Sequence, residues 1–207
     1  MILIAHRGLY NEKIGENTIS AFDNAFNNSY EGIELDVRKT KDNKIVVIHD
    51  SFISRVSNGT GLVKNMTYYK LLKYNFGKSY IERIPLLKEV INRYTNKIIL
   101  IELKESILIT ELNLNDKNIY YISSFNYDYI KNIPKSKKYK KGIINYAFNA
   151  NIDLDDIDFI MILDILITDE IYNFYEKRGI EIIIYGVGKN YNINLNKDYI
   201  KKTKYII

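Results

Sequence analysis

The stretch ILIAHRG, residues 2–8, sets four consecutive apolar residues directly ahead of a histidine, an arginine and a glycine. An apolar run without alternation reads as a strand covered on both faces, as in a parallel sheet. Polar residues at its C-terminal end are therefore placed for chemistry. Apolar runs also lead into polar residues in IVVIHD (45–50) and IILIELKE (98–105), while GIELDV (32–37) carries two carboxylates between its apolar residues.

Working outward, strands are expected at 2–5, 32–37, 45–48, 98–103, 119–123, 142–146, 159–163, 181–185 and 205–207. Helical patterns fall between several of them, at 18–28, 67–74, 86–94, 127–133 and 168–177. Apolar strands separated by helices predict a mostly parallel sheet. Nine candidates for about eight places predict a small (β/α)8 TIM barrel, with one strand surplus or misread. A doubly wound open sheet is the alternative, but the first strand lacks the G-x-G-x-x-G loop of a dinucleotide site.

With 207 residues, 46% of them apolar, the chain is expected to form a single domain over 1–207. No Gly-rich or Ser-rich linker divides it, and its two prolines, Pro85 and Pro134, lie far apart. The absence of cysteine excludes disulfides, thiolate metal sites and a cysteine nucleophile. A strand beginning at Ile2 leaves no room for a secretory leader ahead of it, so a cytoplasmic protein is expected. The apolar segment 157–168 is interrupted by Asp158 and Asp164 and is too short to span a bilayer. The net charge of +5 is concentrated partly in PKSKKYKK, 134–141. No nucleic-acid-binding signature accompanies that run, so it reads as a solvated loop.

The two histidines of the chain, His6 and His49, each follow an apolar run. In a parallel barrel all C-terminal strand ends open on one face. Glu34 and Asp36 share one side of their strand, as do Glu102 and Lys104, because each pair is two residues apart. Carboxylates among Ile, Leu and Val are costly to bury unless paired or bound to a cation. Salt bridges to Arg38 or Lys104 would satisfy any one of them. Glu34, Asp36 and Glu102 together make a set of hard oxygen ligands for Mg2+ or Ca2+. Arg7 and Lys104 supply charge for a phosphate, and two histidines can serve as general acid and general base. A small-molecule phosphodiester is the substrate such a set fits.

Taken in order, AHRG, ENTISAFDNAF (16–26), GIELDVRKTKDNKIVVIHD (32–50), SRVSNGTGLV (54–63) and IELK (101–104) resemble the glycerophosphodiester phosphodiesterase family. The resemblance covers roughly the first half of the chain and implies a distorted TIM barrel. It also implies hydrolysis of glycerophosphodiesters to sn-glycerol 3-phosphate and an alcohol. His6 and His49 would be the acid–base pair, Glu34, Asp36 and Glu102 the metal ligands, and Arg7 and Lys104 the phosphate contacts. Ser123, Ser124 and Phe125 match a strand-end SSF, which places Phe125 in the substrate pocket. Glu16 and Asn17, in GENT, would cap the next helix or orient the site.

The C-terminal third departs from the family. The chain has no tryptophan and reads IIIYGVGKN (182–190) where a Trp-Thr-Val-Asn run is usual, so Tyr185 stands where that tryptophan would pack. It finishes with KTKYII (202–207) rather than Thr-Asp and a proline. Two further readings stay open on these residues: a phosphodiesterase of lysophospholipids or polyglycerol phosphate, and a non-hydrolysing barrel that binds a phosphate ligand.

Overall fold

A computed structural model describes residues 1–145, 152–186 and 203–207. Eight parallel strands close on themselves: β1 (Ile2–His6), β2 (Gly32–Lys39), β4 (Ile98–Leu103), β5 (Ile119–Ser124), β6 (Tyr139–Asn145), β7 (Phe159–Leu163), β8 (Glu181–Tyr185) and β9 (Tyr205–Ile206). The first strand pairs with β9 on one side and β2 on the other, which completes the expected barrel. Helices α1 (Ile19–Asn27), α2 (Tyr68–Leu71), α3 (Leu87–Arg93), α4 (Tyr127–Ile130) and α5 (Asp169–Glu176) lie between strands.

The ninth strand, β3 (Ile45–Val47), is the surplus one. It pairs antiparallel with β2, Val37 opposite Val47 and Lys39 opposite Ile45, and is not a barrel stave. His49 therefore does not sit at the C-terminal end of a parallel strand, as His6 does. It reaches the same region because β3 runs back down along β2, where Ile48 N–H donates to the Asp36 carbonyl at 2.9 Å.

Strand parity divides the core. Ile4, Leu100, Tyr121, Phe159, Met161 and Ile183 form a buried cluster drawn from strands alone, which fills the barrel. Ile33, Leu35, Ile99 and Ile101 belong to a larger cluster with Phe22 and Ala25 of α1 and Val90 of α3, the layer between sheet and helices. Each fully buried aliphatic side chain there contributes about 1.5–3 kcal/mol. Helix α1 starts where Thr18 accepts the Ala21 N–H at 3.2 Å, satisfying an N-terminal donor. A third cluster, including Ile53, Val63, Met66 and Leu71, supports the segment between β3 and α3.

Two expectations shift in detail. The basic run is a solvated loop only in its first part: Lys140 and Lys141 lie on β6, and Lys141 is buried, donating to the Ile133 carbonyl and to Asp156. The strand expected at 142–146 starts earlier, at Tyr139, and Tyr146 lies outside the described residues, as do residues 187–190 of the divergent run. No helix among the described residues is long and apolar enough to cross a membrane.

Candidate active site

The C-terminal mouth is built from the ends of β1, β2 and β4. His6 is in register with Glu34, and its Nε2 lies 3.9 Å from Glu34 Oε2. Behind it the backbone turns through two left-handed residues, Arg7 at φ +55° and Gly8 at φ +77°. A side chain at Gly8 would put its Cβ 2.7 Å from the Ala21 backbone carbon, so α1 can close on the turn only over a glycine. The left-handed Arg7 costs roughly 1–2 kcal/mol. Its backbone N–H is aimed at Glu34 Oε2, 3.0 Å away, while the guanidinium folds back to Glu16 Oε1 at 2.9 Å and Asp36 Oδ2 at 3.3 Å.

Glu34 and Asp36 of β2 meet Glu102 of β4, which is directly opposite Asp36. All three are buried, and one carboxylate oxygen from each lies within 4.8 Å of the others. Burial, then the charges of Asp36 and Glu102, push the Glu34 carboxyl well above the usual range. Burial and Asp36 likewise raise Glu102 to about 7 against the pull of Lys104. Lys104 Nζ is 2.5 Å from Glu102 Oε1 and 3.6 Å from Asp36 Oδ1. Asn17, itself left-handed, donates to Asp36 Oδ2 at 2.9 Å. Asp36 Oδ1 is buried with no hydrogen-bond donor among the described residues. Three hard anionic donors crowded together, two of them held reluctantly as anions and one with an unsatisfied oxygen, fit a divalent cation of the Mg2+ or Ca2+ type.

His49 stands on the other side of Arg7's partners. Its Nδ1 lies 2.6 Å from Asp50 Oδ1, and its carbonyl accepts from Arg38 Nε at 2.8 Å. Arg55 forks onto Asp50 and onto Glu16. Hydrogen bonding to Arg55 outweighs partial burial and holds Asp50 at about 2. Burial pushes Glu16 up, but Arg55 and Arg7 overrule it and hold it at about 2 as well.

Of the remaining sequence-derived residues, Phe125 is partly exposed, with Lys104 Nζ 5.7 Å from its ring centre. Tyr185 ends β8 and shares with His6, Leu9, Tyr10 and Leu163 the wall of a cleft of about 790 Å3. His6, Arg7, Glu34, Asp36, Glu102 and Lys104 thus form one contact network. His49 joins it through Asp50, Arg55 and Glu16, while Phe125 and Tyr185 stand at its margins.

Three residues of this region were given no role from the sequence. Asp50 had a local signal, directly following His49. Ser123, fully buried in register with Glu102, carries a hydroxyl with no hydrogen-bond partner among the described residues and sits in the quoted SSF. Arg55 lies 39 residues from Glu16 in the chain and gave no local signal. Glu16 accepts from Arg7 and Asn17 donates to Asp36, and Thr18 is the helix cap.

The fold and this mouth define a (β/α)8 barrel with a buried acidic cluster flanked by cations and histidine. The chain belongs to the glycerophosphoryl diester phosphodiesterase family, whose model matches residues 6–111. It is 37% identical over 159 residues to a glycerophosphodiester phosphodiesterase of Caldanaerobacter subterraneus subsp. tengcongensis, covering 68% of this chain and 64% of that one. To a glycerophosphodiester phosphodiesterase of Bacillus altitudinis it is 42% identical over 113 residues, covering 51% and 46%. The chain thus spans between about half and two thirds of the length of these relatives. In fold it is similar to a glycerophosphodiester phosphodiesterase of Thermotoga maritima, with a TM-score of 0.71, 24% identity and coverage of 100% and 93%. It is also similar to an Oleispira antarctica phosphodiesterase solved with its product sn-glycerol-3-phosphate, with a TM-score of 0.75, 22% identity and coverage of 98% and 88%.

Proposed function

We propose that this protein is a divalent-cation-dependent phosphodiesterase that hydrolyses small glycerophosphodiesters to sn-glycerol 3-phosphate and an alcohol. The observation that carries the reading is the buried Glu34, Asp36 and Glu102 cluster at the barrel mouth, with His6, Arg7 and Lys104 packed around it. Family membership supports the same reaction class.

Glu34, Asp36 and Glu102 would hold the cation. When bound, it supplies Lewis-acid polarisation of a phosphoryl oxygen and relieves the crowding of the three carboxylates. Arg7 and Lys104 contribute positive charge for the phosphodiester, Arg7 held from behind by Glu16 so that its orientation is set before substrate arrives. His6 and His49 exchange protons with the nucleophile and the leaving oxygen as a general acid and base pair. Asp50 at Nδ1 of His49 leaves Nε2 as the nitrogen that faces the chemistry. Phe125 and Tyr185 shape the margins of the substrate site.

The test is turnover by His6→Ala and His49→Ala proteins. Each variant should lose about 10²–10⁴ in kcat while keeping the wild-type melting temperature. Wild-type rates in either one would refute the pairing.

A further inference from the structure

We infer that Arg55 is a positioning residue: a strut that fixes His49 through Asp50 and Arg7 through Glu16, and so holds the two sides of the mouth in one geometry. The inference rests on the proposed phosphodiesterase reading for its kinetic consequence, but the geometry stands apart from it.

The groups form an unbroken series, of alternating charge from Asp50 to Arg7. His49 Nδ1 is 2.6 Å from Asp50 Oδ1. Arg55 donates to Asp50 through Nε at 2.5 Å and Nη2 at 3.2 Å. The same guanidinium donates to Glu16 through Nη1 and Nη2, both at 2.8 Å. Glu16 Oε1 then accepts from Arg7 Nη1 at 2.9 Å. One planar fork therefore holds two carboxylates at once, and each carboxylate orients a different functional side chain. A lysine has a single point charge and could not do this.

The backbone under Arg55 is anchored on both sides. Ile53 is fully buried in the third hydrophobic cluster and its N–H donates to the Gly61 carbonyl at 3.1 Å. The Ile53 carbonyl in turn accepts from Val56 N at 3.3 Å and Ser57 Oγ at 2.8 Å. The strut thus starts from a fixed loop, not from a free surface side chain.

Stability does not account for the arrangement. The Arg55 side chain is 48% exposed, and ion pairs at such exposure stabilise a fold by only about 0–1 kcal/mol. Two bidentate contacts, both to carboxylates that touch site residues, instead match groups placed behind a reacting side chain to fix its orientation and tautomer.

The experiment compares wild type, Arg55→Ala and Arg55→Lys by three readouts: kcat and KM on a glycerophosphodiester, the thermal midpoint, and the ring 15N shifts of His49. With two histidines in the chain, a His6→Ala sample assigns the His49 resonances. Arg55→Ala should lower kcat by about 10–100-fold with little change in melting temperature, and should move His49 from one Nδ1–H tautomer towards a mixture. Arg55→Lys should restore part of the rate and of the shift. Wild-type kcat with unchanged His49 resonances in Arg55→Ala would overturn the inference. If the wild type turns over no glycerophosphodiester, the proposed function fails and the 15N comparison alone decides the strut: altered shifts keep it, unaltered shifts remove it.

Discussion

Glu34→Gln separates the electrostatics of the acidic cluster from its packing. The substitution keeps side-chain size and leaves a carbonyl oxygen to accept the Arg7 N–H, now 3.0 Å from Glu34 Oε2. It removes one of three buried negative charges whose oxygens lie within 4.8 Å, a separation at which each pair repels by about 3.5 kcal/mol at an effective dielectric near 20. Arg7 and Lys104 cancel part of this, and proton uptake by the raised Glu34 carboxyl caps the rest. A net gain of about 1–3 kcal/mol in the metal-free protein follows, or roughly 2–10 °C in melting temperature for a domain of this size. The size of the gain depends on pH. A carboxyl whose folded pKa lies above its unfolded value of 4.5 destabilises the fold only where the unfolded chain is ionised. The advantage of Glu34→Gln is therefore present near neutral pH and disappears below about pH 4. Saturating Mg2+ or Ca2+ should reverse the ranking, because a ligand at about 100 times its Kd stabilises the wild type by about 2.7 kcal/mol. The assay is a thermal melt of both proteins in EDTA and in excess divalent cation. A variant that melts below wild type in EDTA, yet gains as much from the cation, would refute the reasoning.

The depressed carboxyls Glu16 and Asp50, each at about 2, contribute stability that is complete above their unfolded values of 4.5 and 3.8 and is lost as pH falls towards about 2. Urea unfolding across that window should show the loss, smaller in Arg55→Ala by no more than about 1 kcal/mol, and an equal loss in the two proteins would contradict the ion-pair assignment. Phe22→Ala, which empties a fully buried position of α1 against the barrel, should cost about 3–5 kcal/mol by the same measurement. A loss below about 1 kcal/mol would show that the helix layer is not packed as described.

The parallel barrel was legible because β1, β4 and β7 carry apolar runs without alternation, a pattern that a half-exposed strand does not show. The direction of β3 was not, since an apolar run of three residues reads the same either way. A clue lay in the connection: residues 40–44 are too few for a parallel crossover, which takes about a dozen, and Asn43 sits in the left-handed region of a tight turn. Lys141 hid in a basic run because its burial depends on Asp156, which the fold brings beneath it. Within the site, Glu34, Asp36, Glu102 and Lys104 stood out as charges in apolar strands, where burial makes a charge conspicuous. Arg55 and Glu16 lie in loops, where charges are ordinary, and only the closure of the segment after β3 onto the β1–α1 turn brings them together.

The most direct measurement is release of sn-glycerol 3-phosphate by the purified protein from a panel of deacylated glycerophosphodiesters, read through a coupled dehydrogenase before and after EDTA treatment. The account predicts turnover of at least one glycerophosphodiester that EDTA abolishes and added Mg2+ or Ca2+ restores. A folded, cation-loaded protein that releases nothing from any panel member, or one that is indifferent to EDTA, would contradict it.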